Sequence, residues 1–172
     1  MRISSDLTSE NGDTYRVVLS SGEDTFFVGD AVRAFIGSEI EIIEVDLERI
    51  SGTTRTSPSI LYKIADLIGS FMEQDPDCVL YFYCDDIALL PKDATQKNIW
   101  PQEYRSRLFS RMFEHYSMQH TSLSAENIPI VIDAVGRPIY MHLIARTEHL
   151  TYIDTIKKYV INNYGKPSND DL

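Results

Sequence analysis

The stretch Ile40-Glu41-Ile42-Ile43-Glu44-Val45-Asp46-Leu47 decides how this chain is read. Its apolar side chains fall at 40 and 42, then change phase to 43, 45 and 47. Alternation with a period of two marks a strand. A one-residue slip within it predicts either a β-bulge at Ile42 and Ile43 or a strand covered on both faces at that point.

Immediately downstream, Ser51-Gly52-Thr53-Thr54-Arg55-Thr56 forms a polar loop leading to Ser57-Pro58. Serine as an N-cap followed by proline in the first turn is a helix start. Ile60, Leu61, Ile64, Leu67, Ile68, Phe71 and Met72 then recur at helical spacing, with Lys63, Asp66, Ser70 and Glu73 facing away. Asp75-Pro76-Asp77 closes that helix. The strand that follows, Cys78-Val79-Leu80-Tyr81-Phe82-Tyr83-Cys84, is apolar enough for a central place in a sheet. Its two cysteines, the only ones in the chain, are about 20 Å apart on an extended strand. That is too far for a disulfide, so they read as buried thiols on one face.

Upstream, Tyr15, Val17 and Leu19 alternate with polar neighbours. Ser21-Gly22 turns the chain toward a second strand, Thr25-Phe26-Phe27-Val28. Downstream, a second helix is expected at about 102–118, with Tyr104, Leu108, Met112, Phe113 and Tyr116 on one stripe. Two strands, 128–132 and 139–145, form a hairpin around Val135-Gly136-Arg137. A last helix at about 151–164 buries Ile153, Ile156 and Val160 and stops at Gly165. The expected architecture is α+β, a mixed and mostly antiparallel sheet with helices on its faces, in the order β-β-β-α-β-α-β-β-α. It forms one domain spanning 1–172, with an ordered core of about 14–165 and a polar tail at 166–172.

Composition narrows the functional classes. Of 172 residues 43% are hydrophobic and 24% charged, a globular mix, and the net charge is −10. Residues 1–50 hold 11 acidic side chains against 4 basic ones. Such a surface opposes binding to nucleic acid, whose phosphates require clusters of Lys and Arg. No apolar run follows Arg2, and none reaches the length of a membrane helix, so a cytoplasmic protein with no membrane partner is expected. The four histidines form no metal-ligand spacing, and no metal is expected.

The order of elements resembles the core of the GNAT acetyltransferases, in which three antiparallel strands lead into a helix, a strand, a second helix and a final hairpin. That resemblance covers most of residues 14–146. In the family, the strand before the first core helix is bulged and splayed from its neighbour, exposing backbone to the pantetheine arm of coenzyme A. An Arg or Gln, two variable residues, Gly, one residue, then Gly or Ala opens the helix and holds the pyrophosphate. The matching stretch is Arg55-Thr56-Ser57-Pro58-Ser59-Ile60, so the resemblance implies acetyl-CoA held by Arg55, Thr56, Ser57 and Ser59. Pro58 and Ile60 replace the glycine and the small residue, which removes one N–H and crowds the approach to the backbone. The resemblance makes Glu44 and Asp46 candidates for the general base. Phe109 stands near the place of the family's proton-donating tyrosine, leaving Tyr116, further off, as the candidate acid. The segment from Leu80 through Phe113 to Gly136 also looks like an uncharacterised bacterial domain family with no assigned activity.

Two further features are read from the residues. Tyr83-Cys84-Asp85-Asp86 looks like the Tyr-x-Asp-Asp hairpin of reverse transcriptases, but the chain is too short for such a polymerase and offers no basic template surface. Arg107, Arg111 and His115 follow at i+4 on the second helix, a cationic stripe suited to a protein partner or to pairing with Glu103 and Glu114. The expectation is a catalytically silent or divergent acetyltransferase-like domain acting as a binding or regulatory module. The alternative is an active N-acyltransferase moving acetyl from acetyl-CoA to an amine.

Overall fold

The computed structural model describes residues 2–21, 39–52, 56–84, 99–134 and 137–164. Within them six strands form one mixed sheet, and three helices pack on it. The strands are β1 (Arg2–Thr8), β2 (Thr14–Ser21), β3 (Glu41–Ser51), β4 (Cys78–Cys84), β5 (Ala125–Ala134) and β6 (Arg137–Arg146). The helices are α1 (Pro58–Gln74), α2 (Pro101–Gln119) and α3 (Leu150–Tyr164), the last preceded by a 3-10 turn (Thr147–His149). None of them is long and apolar enough to cross a membrane.

Strand order in the sheet is β1-β2-β3-β4-β6-β5. All neighbours are antiparallel except β3 and β4, which are parallel and joined through α1. A parallel pair needs such a crossover, because a tight hairpin can only reverse the chain. Helices α1 and α2 cover one face of the sheet, over Val17, Leu19, Ile43, Val45, Leu80, Phe82 and both cysteines. Helix α3 covers the other, over Val79, Tyr81, Ile130, Ile132, Met141 and Leu143. The free thiols of Cys78 and Cys84 are buried on the α1/α2 face as expected. Burial, aided by nearby Asp75, pushes the Cys78 thiol up to about 12, so it stays protonated. Tyr81 is core beneath α3.

The helix starts follow their sequence. The Ser57 hydroxyl caps the Ile60 N–H, Pro58 opens α1, and Ile60, Ile64, Ala65, Ile68, Gly69 and Met72 bury one face. Gly69 is required there, since a Cβ would lie 2.1 Å from Cζ of Tyr116. In α3 the buried residues are Ile153, Ile156 and Val160, those expected.

Three expectations change, and the open choice at Ile42 and Ile43 is resolved as a strand covered on both faces. Strand β1 extends the ordered sheet ahead of residue 14, while Thr25-Phe26-Phe27-Val28, Gly165 and the tail lie outside the described residues. The strand set therefore differs from the expected one. The buried stripe of α2 is Gln102, Ser106, Phe109, Met112 and Tyr116, so it turns about one residue from the expected one. There is no bulge at Ile42 and Ile43, because the register with β4 runs unbroken from Glu41 to Val45. Both residues are apolar since Ile43 faces α1 and α2 while Ile42 packs in the cluster under α3. The irregularity lies at the far end of β3: Tyr15 faces Arg49 but Thr14 faces Ser51, leaving Ile50 as the extra residue.

Candidate functional site

The parallel ladder between β3 and β4 is short. It pairs five residues, from Glu41 with Cys78 to Val45 with Phe82, and stops. Both strands go on: β4 through Tyr83 and Cys84, still paired to β6, and β3 through residues 46–51, still paired to β2. Among the described residues none pairs with 46–51 on the β4 side. Among the described residues the β3–β4 ladder therefore ends at Val45 and Phe82.

The start of α1 is tied to β2. The Tyr15 hydroxyl and Thr56 Oγ1 are 2.8 Å apart, which fastens the residue before the cap to the Tyr15–Arg49 rung. Ser57 Oγ lies 3.1 Å from Ser59 Oγ and accepts from Ile60 N at 3.5 Å, a long bond. No acidic side chain occupies the first turn of α1, so nothing there opposes an anion at the positive end of the helix. The end of β3 is braced from below. Arg49 donates to Asp13 at 2.6 Å with the carboxylate almost wholly buried, and its guanidinium lies 5.6 Å over the Tyr15 ring. Gly52, at φ +95°, passes where any side chain would strike Asp13. Arg55 lies outside the described residues.

The candidate catalytic side chains are not brought together. Ile43, Val45 and Leu47 face α1 and α2, so Glu44 and Asp46, at the alternate positions, project from the opposite face of the sheet. Glu44 is half-buried in the row with Ser20 and Tyr81, and Asp46 is exposed. Tyr116 sits on the α1/α2 face, packed into the space left by Gly69, which is ten residues or about 15 Å along α1 from Ser59. Its hydroxyl donates to Glu73 at 3.1 Å, and its ring stacks on His120 at 4.0 Å. Burial, with the Glu73 carboxylate adding to it, pushes the phenol up to about 12. Tyr116 thus holds α1 to α2.

The cationic stripe is partly spent. Arg107 pairs with Glu103 at 2.5 Å, and His115 stacks on Tyr62 at 3.7 Å while its Nε2 meets Gln119. Arg111 is exposed. Asp85 and Asp86 lie outside the described residues. Among the described residues there is no cluster of three or more metal-ligating side chains.

Sequence reasoning missed one constellation. His142 on β6 is fully buried at the rung of Phe82, with Nε2 2.9 Å from Ser106 Oγ and Nδ1 2.9 Å from Asn127 Oδ1. Asn127 turns its amide nitrogen toward Ser110 Oγ at 3.4 Å, leaving its carbonyl for a His142 Nδ1–H. The Ser106 hydroxyl then donates to Nε2. This is the connectivity of a serine nucleophile with its base. Burial, however, pulls the imidazole down to about 4, too weakly basic to activate a hydroxyl at neutral pH. The network instead satisfies polar groups that dock α2 onto β5 and β6. A histidine inside the apolar run 139–145 was its one sequence signal.

Comparison with protein-family models, with curated proteins and with solved structures returns no match. The functional reading therefore comes from the fork where the β3–β4 ladder ends, and from its surroundings, alone.

Proposed function

We propose that this chain is a divergent acetyltransferase-like domain that holds an acyl-coenzyme A type of ligand between β3 and β4 as a binding or regulatory module. The observation that carries the reading is the early end of the β3–β4 ladder at Val45 and Phe82, with both strands continuing past it. An extended pantetheine arm has amides that pair with strand backbone, as any chain added to a free strand edge does. Three further features support it. The start of α1, with Thr56, Ser57 and Ser59, is tied to Tyr15 on β2, the neighbour of β3, and has no carboxylate in its first turn. The succession of three antiparallel strands, helix, strand, helix and hairpin resembles that of the acetyltransferase core. Strands β3 and β4 are the two that this likeness would splay.

Binding is favoured over transfer by the positions of the chemistry. Glu44 and Asp46 point away from the face that carries Tyr116, and the Tyr116 proton is committed to Glu73. Pro58 gives the helix start one N–H fewer, so Ser59 N–H, the hydroxyls and Arg55 would carry the pyrophosphate.

The test is the melting temperature of the whole chain with and without millimolar acetyl-CoA. Ligand at about 100 times its dissociation constant stabilises the fold by about 2.7 kcal/mol, or roughly 5–10 °C for a domain of this size. The expected result is such a shift, abolished by Arg55→Ala. No shift removes the reading. Turnover of acetyl-CoA with an amine would replace the module by the N-acyltransferase.

A further inference from the structure

Between α1, α2 and β6 lies a pocket of about 30 Å³, partly open to solvent. Its walls include Ala65, Gly69 and Met72 of α1, Phe109 and Met112 of α2, and Ile144 of β6. Tyr116 is the one described lining residue with a hydroxyl, and that hydroxyl donates to Glu73. A water needs about 10–15 Å³ on this measure, together with two to four polar partners. The pocket has the room but not the partners, since the backbone of α1 and α2 is bonded within each helix. Water that enters is therefore held weakly, and an apolar guest that displaces it gains affinity. The Trp, Tyr and Arg side chains that anchor protein partners are too large for this volume, so the fitting occupant is a small molecule. Met72 and Met112 are unbranched and reshape around a guest more readily than branched residues do.

We propose that this pocket is a binding site for a small, uncharged, apolar molecule of about two or three heavy atoms. The site stands beside Gly69 and Tyr116, between α1 and α2, and is independent of any ligand between β3 and β4. The guest is held by dispersion and by its exclusion from water, with no charge and no hydrogen bond. A polar molecule of the same size would lose its hydrogen bonds to water and find none in their place.

Methyl NMR of the full chain under increasing xenon pressure tests this, xenon being an apolar probe that enters dry cavities. The expected result is a shift of the Met72 and Met112 ε-methyls and the Ile144 δ1-methyl that saturates with pressure. Ile153 and Ile156, buried under α3 on the other face of the sheet, should not follow it. Ala65→Val places two methyl groups in the pocket and should abolish the saturating shift. Shifts in the wild-type chain that only rise linearly with pressure, or that are equal on both faces of the sheet, overturn the proposal whether or not the variant folds. So does a saturating shift that persists in a folded Ala65→Val.

Discussion

Replacing His142 with leucine lowers the unfolding free energy by about 3 kcal/mol. The substitution keeps an apolar side chain of similar size at a fully buried position on β6, so the transfer of side-chain area changes little. What it removes is the only described partner of the Ser106 hydroxyl and of the Asn127 carbonyl, each 2.9 Å away. A buried polar group left unsatisfied costs about 1–3 kcal/mol; Ser106 is buried, while the half-buried Asn127 carbonyl adds less because water can reach it. The imidazole also contacts the Phe109 ring at 5.0 Å, and that packing is lost with it. Urea denaturation measures the effect. Adding Ser106→Ala to His142→Leu removes one orphaned group and should restore at least about 1 kcal/mol, a non-additivity that a purely apolar core would not show. A loss below about 1 kcal/mol for the single variant would mean that the network does not secure α2 to β5 and β6.

The same residue sets an acid limit. Burial holds the folded His142 near 4, against about 6.5 for an exposed histidine. Between those values the unfolded chain binds a proton that the folded chain refuses, so stability rises with pH across the window. The contribution is complete above pH of about 6.5 and is lost as pH falls toward about 4, in total about 3 kcal/mol. Below pH 4 both states are protonated and the loss stops growing. Melting curves of the wild type and of His142→Leu between pH 4 and 7 separate this from the carboxylates. The difference between the two should shrink as the pH drops, and a constant difference would contradict a buried neutral imidazole.

What could be read in advance depended on whether one face of an element was uniformly apolar. Helices α1 and α3 and strand β4 announce themselves because packing and periodicity agree in them, and the Ser57-Pro58 start and the Asp75-Pro76 stop are local chemistry. Strand β1 was missed because it lies at the sheet edge, where only Ile3 and Leu7 are large and apolar and charged residues discourage pairing with other chains. The α2 stripe was misplaced because two of its buried positions are Gln102 and Ser106, polar residues whose partners, the Pro138 carbonyl and His142, lie 36 residues away. The phase slip at Ile42 and Ile43 has a tertiary cause, two covered faces, which one strand cannot distinguish from a bulge. The true irregularity at Ile50 left no trace, because Ile50 is exposed and its neighbours are polar.

The candidate site was legible in the same uneven way. The side from which Glu44 and Asp46 project follows from the alternation with Ile43 and Val45. That Tyr116 faces the other side depends on how α2 docks, which the spacing of its own apolar residues did not fix. The fork is a statement about where pairing ends, and strands that stay extended past their last partner look the same in sequence as strands that remain paired.

Amide hydrogen exchange of the full chain, with and without saturating coenzyme A, addresses the fork itself. A ligand lying between β3 and β4 should slow exchange of those amides in residues 46–51 that point toward β4, together with Ser59 N–H at the start of α1. Unchanged exchange there, or protection confined to the exposed side of α2 around Arg111, would contradict a ligand site at the fork.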